Sequence, residues 1–152
     1  MPDIFTKEKR SQVMSRIRSQ GNKETELKLA SILRANRITG WRRHQALLGH
    51  PDFTFRRQRL VIFVDGCFWH GCPKHGRKPT SNQAYWVPKL KQNKARDKLR
   101  RLALRKSGWR VLRFWSHDLR DSAAVASRVI WELSMATRTC KYTNHRYERS
   151  IR

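Results

Sequence analysis

The chain has 152 residues and sets 35 Lys and Arg against 11 Asp and Glu, a formal net charge of +24. Its length fits one domain that can bury a core without disulfides. The charge far exceeds what solubility requires and calls for a polyanion such as duplex DNA, bound by phosphate neutralisation and counterion release. Charge names the partner class and no chemistry, since passive nucleic-acid binders share it. No stretch approaches the ~20 apolar residues of a membrane helix, and the start Met1-Pro2-Asp3-Ile4-Phe5 lacks the pattern of a signal peptide, so a cytoplasmic protein is expected. Cys67, Cys72 and Cys140 make an odd count, and in a reducing compartment thiols serve metals or packing more often than crosslinks.

Residues 1–20 are polar and basic, with Val13, Met14 and Ile17 at helical spacing, which predicts a short N-terminal helical arm. Asn22 is a good N-cap for an amphipathic helix over roughly 23–36, built on Leu27, Leu29, Ala30, Ile32 and Leu33. Beyond Trp41, Gly49-His50-Pro51 marks a turn into a short β-prone run, Phe53-Thr54-Phe55. The continuous run Leu60-Val61-Ile62-Phe63-Val64-Asp65 predicts a second strand, antiparallel to the first and buried on both faces. Residues 66–82, rich in Gly, Pro, Cys and His, read as a loop. Pro88 suits the first turn of a helix running to about Lys106, with Leu90, Leu99 and Leu102 facing the core. Gly108 ends it, Trp109 to Trp115 predicts a third strand, and Ser122 caps a last helix carrying Val125, Val129, Ile130 and Leu133. The expected fold is α/β, in the order αββαβα, as one domain over 1–137 with a basic, flexible tail over 138–152.

Four carboxylates, Glu26, Asp52, Asp65 and Asp97, fall in an otherwise basic chain, two of them at strand ends. The bland account is that each balances a neighbouring cation. For Asp52 and Asp65 together, an antiparallel pair would bring both to one hard cation. Mg²⁺ takes one or two protein carboxylates plus water and phosphate oxygens. His70, five residues past Asp65, is placed to take a proton from attacking water. Around it, Cys67, Cys72 and His75 supply three zinc ligands, with His117 the best candidate for the fourth; such a site would fix a loop that has little apolar area to bury. Phe68, Trp69 and Trp86 lie in basic surroundings, where an aromatic side chain serves either the core or as a wedge between base steps.

These residues bring a family into view. Lys9-Arg10-Ser11 with Met14, the Glu26 helix, Pro51-Asp52-Phe53, the decapeptide Val61-Ile62-Phe63-Val64-Asp65-Gly66-Cys67-Phe68-Trp69-His70, Tyr85-Trp86, Asn93, Arg96-Asp97 and Gly108-Trp109-Arg110-Val111-Leu112 together resemble the very short patch repair (Vsr) endonucleases, a mismatch-nicking branch of the PD-(D/E)xK nucleases. The likeness spans roughly residues 5–135, and the decapeptide is its most specific part. It implies a restriction-endonuclease-like core, a mixed central sheet flanked by helices, with a zinc-stabilised loop. It implies Asp52 as the main Mg²⁺ ligand, helped by the backbone carbonyl of Val64, with His70 as general base and Glu26 in support. Asp65 falls where well-known members carry a second histidine and reads as a direct or water-mediated metal ligand. Phe68, Trp69 and Trp86 would insert beside a T:G mismatch, with Met14, Asn93 and Arg96 as further DNA contacts. Relatives distribute cysteine and histidine differently over the zinc positions that Cys67, Cys72, His75 and His117 would occupy in this chain.

The implied reaction is a nick 5′ of the thymine left by deamination of 5-methylcytosine, performed by a bacterial, nucleoid-associated monomer. A cytosine-5 DNA methyltransferase and mismatch-repair accessory proteins would be its functional partners. Two alternatives stay open: a homing or defence nuclease of the same fold that cuts paired DNA, and a zinc-stabilised DNA-binding protein without activity.

Overall fold

A computed structural model describes residues 25–67, 70–76 and 82–148, the last thirteen of these as helix backbone alone. The elements are α1 (Glu26–Ala35), β1 (Trp41–Arg43), β2 (Phe53–Phe55), β3 (Leu60–Asp65), α2 (Gln83–Lys106), β4 (Arg110–Trp115), a 3₁₀ turn (Asp118–Arg120) and α3 (Ser122–Glu148). The strands form one sheet in the order β1-β2-β3-β4. β1 pairs antiparallel with β2 and β2 with β3, while β4 lies parallel to β3. A parallel neighbour needs a crossover connection, and the loop plus α2 provides it.

The mixed sheet and flanking helices agree with the α/β expectation and with a nuclease-like core, whereas the order gains a strand. Three residues, Trp41–Arg43, are too few for alternation to show, and they become a strand by pairing with β2. The antiparallel β2–β3 pair falls where the apolar runs predict it, with Leu60, Val61 and Ile62 fully buried. Pleating sends alternate residues to opposite faces. Phe53, Phe55, Leu60, Ile62, Leu112 and Phe114 join Leu29, Ala30 and Leu33 of α1 and Val125, Ala126 and Val129 of α3 in the hydrophobic core. The other face, carrying Thr54, Val61, Phe63, Asp65, Val111 and Arg113, lies on the α2 side.

Several helix expectations need correction. α2 starts at Gln83, five residues before Pro88, so the proline sits inside the helix. Leu99 and Leu102 are 68% and 50% exposed; the inward face carries Trp86, Leu90, Asn93, Asp97, Arg101 and Leu104 at intervals of three and four. That face covers a polar site as well as a core, so the most apolar stripe of the sequence is the wrong one. At α3 the cap is Asp121, whose Oδ1 accepts the Ala124 N–H at 2.9 Å, while Ser122 is already helical. Ile130 is half exposed. The helix continues to Glu148, through most of the segment expected as a tail. The N-terminal arm with Met14, and the proposed cap Asn22, lie outside the described residues.

The α2 correction can be measured. Leu104→Ala, which empties a buried position, is expected to cost about 2–4 kcal/mol in urea unfolding, and Leu102→Gln less than about 0.5 kcal/mol. A reversed order would put the helix in the other rotation.

Candidate active site

β3 outlasts β2. Its first three residues pair with β2, and all six pair with β4, leaving the β2-side edge of Phe63–Asp65 without a strand partner. Pro51 is fully buried where the chain enters β2, and Asp52 follows it at that edge. There the Val64 N–H donates to Asp52 Oδ2 at 2.7 Å. Within a strand the N–H and C=O of one residue point to the same side, so the Val64 carbonyl leaves from the edge that Asp52 occupies.

Behind this pair, α1 contributes Glu26, 2% exposed. Its Oε1 accepts from Arg43 Nε at 2.8 Å and Nη2 at 2.5 Å, and His44 Nε2 lies 3.0 Å away. The short strand β1 therefore carries the cation that balances Glu26. Asp52 has no such partner among the described residues. Its carboxyl is pushed up from 3.8 to about 6, first by burial, and further by the charges of Glu26 and Asp65, against the lowering effects of the Val64 hydrogen bond and His70.

On the α2 side, Asp65, His70, Asp97 and Arg113 form a compact group. His70 Nδ1 sits 2.6 Å from Asp97 Oδ2 and 3.4 Å from Asp65 Oδ1. Arg113 donates through Nε to Asp65 Oδ2 and through Nη2 to Asp97 Oδ2 at 3.2 Å. Burial pulls the guanidinium's pKa down, but its bonds to the two carboxylates outweigh that, and the net shift is upward. A cleft of about 300 Å³ opens between these groups and Asp52, walled by Val64, Phe63, Gly49, His50, Arg100 and Arg101.

A second constellation lies beside the first. Cys67, Cys72, His75 and His117 offer ligand atoms that all fall within 4.8 Å of one another. Cys67 Sγ is 3.2 Å and Cys72 Sγ 3.8 Å from His117 Nδ1, and Cys72 Sγ is 4.0 Å from His75 Nδ1. Tetrahedral zinc with ordinary bond lengths separates sulfur and nitrogen ligands by roughly 3.6 Å, inside this spread. His117 Nε2 faces Asp118 Oδ1 at 3.1 Å, which turns Nδ1 toward the thiols, the outer carboxylate contact common at zinc-bound histidine.

Of the residues singled out in the sequence, Glu26, Asp52, Val64, Asp65 and His70 gather at one end of the sheet, and Cys67, Cys72 and His75 of the loop meet His117 beside it. Asp52 is not in the cluster formed by Asp65, His70 and Asp97. Trp86 is 8% exposed, packed edge-on to the half-exposed Tyr85. Asn93 is buried and accepts from the exposed Arg96. Phe68 and Trp69 lie outside the described residues. Sequence reasoning missed two members. Asp97 counted among the carboxylates, but its place on the inward face of α2, four residues past Asn93 and seven before Leu104, was the signal for its role. Arg113 was hidden among 35 basic residues, and only its position within β4 distinguishes it.

The raised pKa of Asp52 makes a stability prediction for the protein without added divalent ion. Ionised Asp52 costs stability above about pH 6, and the cost disappears as pH falls below the unfolded value of 3.8. Asp52→Asn keeps an acceptor for the Val64 N–H and removes the charge. It is expected to stabilise at pH 8 by up to about 3 kcal/mol in chemical denaturation, with the gain fading between pH 6 and 4. Equal stability at pH 8 would mean that Asp52 is well solvated.

Comparison with known proteins places this geometry. A family profile described as "DNA mismatch endonuclease Vsr" matches residues 2–75. The type II nicking enzyme V.XorIIP of Xanthomonas oryzae pv. oryzae is 38% identical over 131 residues, covering 85% of this chain and 95% of that protein. The DNA mismatch endonuclease Vsr of Escherichia coli is 32% identical over 133 residues, covering 87% and 85%. The type II nicking enzyme V.NaeI of Lentzea aerocolonigenes is 51% identical over 75 residues, 49% of this chain and 45% of that enzyme. With a nuclease-like fold, a carboxylate and histidine cleft, and two relatives matched over most of their length, the chain belongs to the Vsr family of DNA endonucleases.

Proposed function

We propose that this endonuclease nicks one strand of duplex DNA on the 5′ side of the thymine in a T:G mismatch, with Mg²⁺ at Asp52 and a structural zinc in the neighbouring loop. The observation that carries the reading is His70 held through Nδ1 by Asp97 on the wall of the cleft that Asp52 also lines. A nick in one strand accords with relatives named nicking enzymes, and mismatch action with the relative named a mismatch endonuclease. The mismatch would arise where a companion cytosine-5 methyltransferase has marked the DNA.

Asp52 and the Val64 carbonyl would hold the Mg²⁺, and their fit is physical: among the described residues, a half-buried carboxylate with no side-chain cation paired to it lies beside a carbonyl at a strand edge without a ladder partner. Bound there, Mg²⁺ supplies activation of water and charge for the departing oxygen. Asp97 accepting from Nδ1–H fixes the tautomer of His70, so Nε2 keeps the lone pair that takes a proton from water. Arg100 and Arg101 on the cleft wall offer charge to the phosphates. Glu26, neutralised by Arg43, supports the Asp52 side. Zinc at Cys67, Cys72, His75 and His117 would brace both ends of the turn bearing His70, whose own N–H reaches only Gly66 O at 3.3 Å.

The direct test is nicking of labelled duplexes, T:G or fully paired, over a library of flanking sequences, with Mg²⁺ or EDTA. Mg²⁺-dependent nicks beside the mismatch, reduced at least ~10³-fold in Asp52→Ala, are expected; cleavage of paired duplex at the same rate would instead assign a homing or defence nuclease.

The zinc reading has its own measurement. Metal analysis of the purified chain is expected to give one zinc per molecule, and Cys72→Ser to lose it together with at least ~10-fold of the nicking rate. A zinc-free chain that nicks at full rate would remove the structural metal.

A further inference from the structure

The four carboxylates around the cleft differ in one respect: whether the chain itself supplies a cation to them. Glu26 has Arg43, with His44 alongside. Asp65 and Asp97 share Arg113. Asp52 receives a backbone N–H on Oδ2, and among the described residues no side-chain cation pairs with it.

Asp65, His70 and Asp97 have the composition of a divalent-cation site, with ligand atoms within 4.8 Å of one another. Three of their ligand oxygens, and His70 Nδ1, are nevertheless already engaged. Asp65 Oδ2 accepts from Arg113 Nε, while Oδ1 faces His70 Nδ1 at 3.4 Å. Asp97 Oδ2 lies 2.6 Å from His70 Nδ1 and accepts from Arg113 Nη2 at 3.2 Å. A guanidinium does not deprotonate in a protein, and its rigid fork suits two carboxylates at once. Arg113 is anchored in the middle of β4, paired to Phe63 of β3 and on the same sheet face as Asp65, so it is delivered to the cluster by strand register rather than by a mobile side chain. A divalent ion entering among these carboxylates would have to displace it, or settle a few ångströms from a fixed positive charge in a partly desolvated place.

We infer that Arg113 is the resident cation of the Asp65–His70–Asp97 cluster, a positioning residue that closes this cluster to divalent ions and leaves Asp52 as the single metal seat. Asp65 then acts as an anchor for Arg113 instead of as the metal ligand expected from the sequence. Through Asp97, Arg113 also keeps the Nδ1 side of His70 occupied and its Nε2 side clear. The inference rests on the metal-dependent reading above and adds the number of ions and the residue that sets it.

Mn²⁺ binding to the full-length, zinc-replete chain, followed by the loss of the free-ion EPR signal, tests it. The wild type is expected to bind one Mn²⁺, weakened at least ~10-fold by Asp52→Asn and less than ~3-fold by Asp65→Asn. Arg113→Met is expected to gain a second ion, lost again in Arg113→Met/Asp65→Asn and absent in Arg113→Lys, which restores the charge. Two ions in the wild type, one ion displaced by Asp65→Asn, or no second ion in a folded Arg113→Met would each overturn the inference. Should Arg113→Met not fold, the comparison of Asp52→Asn with Asp65→Asn decides alone. A wild type that binds no Mn²⁺ takes down the metal-dependent reading itself and the inference with it, a result distinct from binding at the wrong carboxylates.

Discussion

Everything at the cleft depends on a mismatch in strand length. β3 continues three residues past its pairing with β2, so backbone groups on one edge need partners while the other edge stays bonded to β4. An unsatisfied buried N–H costs free energy comparable to a lost hydrogen bond. Asp52 meets that need by accepting from Val64, and the bond that completes the sheet also aims the carboxylate. Were β2 longer, Val64 would be tied into the ladder and its carbonyl would be unavailable. The site is built from the place where regular structure stops.

The balance of charge follows the same logic. In a chain of net +24, carboxylates are scarce and cations plentiful, so an acid that no side-chain cation pairs with among the described residues is the exception. Glu26 is balanced by Arg43 from β1, and Arg113 from β4 offsets one of the two charges of the Asp65–Asp97 pair, which lowers the cost of burying them. Asp52 keeps its burial and its like-charged neighbours, and its pKa rises accordingly. A carboxyl in a cleft whose pKa is shifted in this way is a candidate functional group.

What the sequence revealed and what it hid have physical reasons. β2 and β3 were legible because strands in the middle of a sheet bury both faces and read as apolar runs. The approach of Cys67, Cys72, His75 and His117 was legible because two thiols and an imidazole crowd into a loop of Gly and Pro, with a further imidazole just past the next strand. The rotation of α2 was not legible: its inward face must cover the polar cleft, so Asn93 and Asp97 occupy positions where apolar residues were sought, and Leu99 and Leu102 face solvent. β1 was hidden because three residues carry no periodicity, yet without it Glu26 would lack Arg43. Arg113 was hidden because one arginine among so many bases has no local signature; its meaning comes from its register opposite Phe63.

The three elements that meet at the cleft also show what bracing the loop would achieve. Asp52 comes from a strand entry, Asp97 and the cleft arginines from a helix, Arg113 from a strand, and each is positioned by ladder bonds or core packing. His70 has neither. It stands in a loop, five residues past Asp65, and must hold its imidazole closely against Asp97 for its tautomer to be fixed. Loop backbone ordered by hydrogen bonds alone would lose roughly 1–2 kcal/mol of entropy per residue with little apolar burial to offset it. Cys67 and Cys72 flank His70 closely, and His117 reaches back from the end of β4, so a tetrahedral centre there would tie the loop to the same parallel strand pair that carries Asp65 and Arg113. His70 and its orienting groups would then share one rigid frame, and the Asp52 carboxylate would face them across a fixed gap.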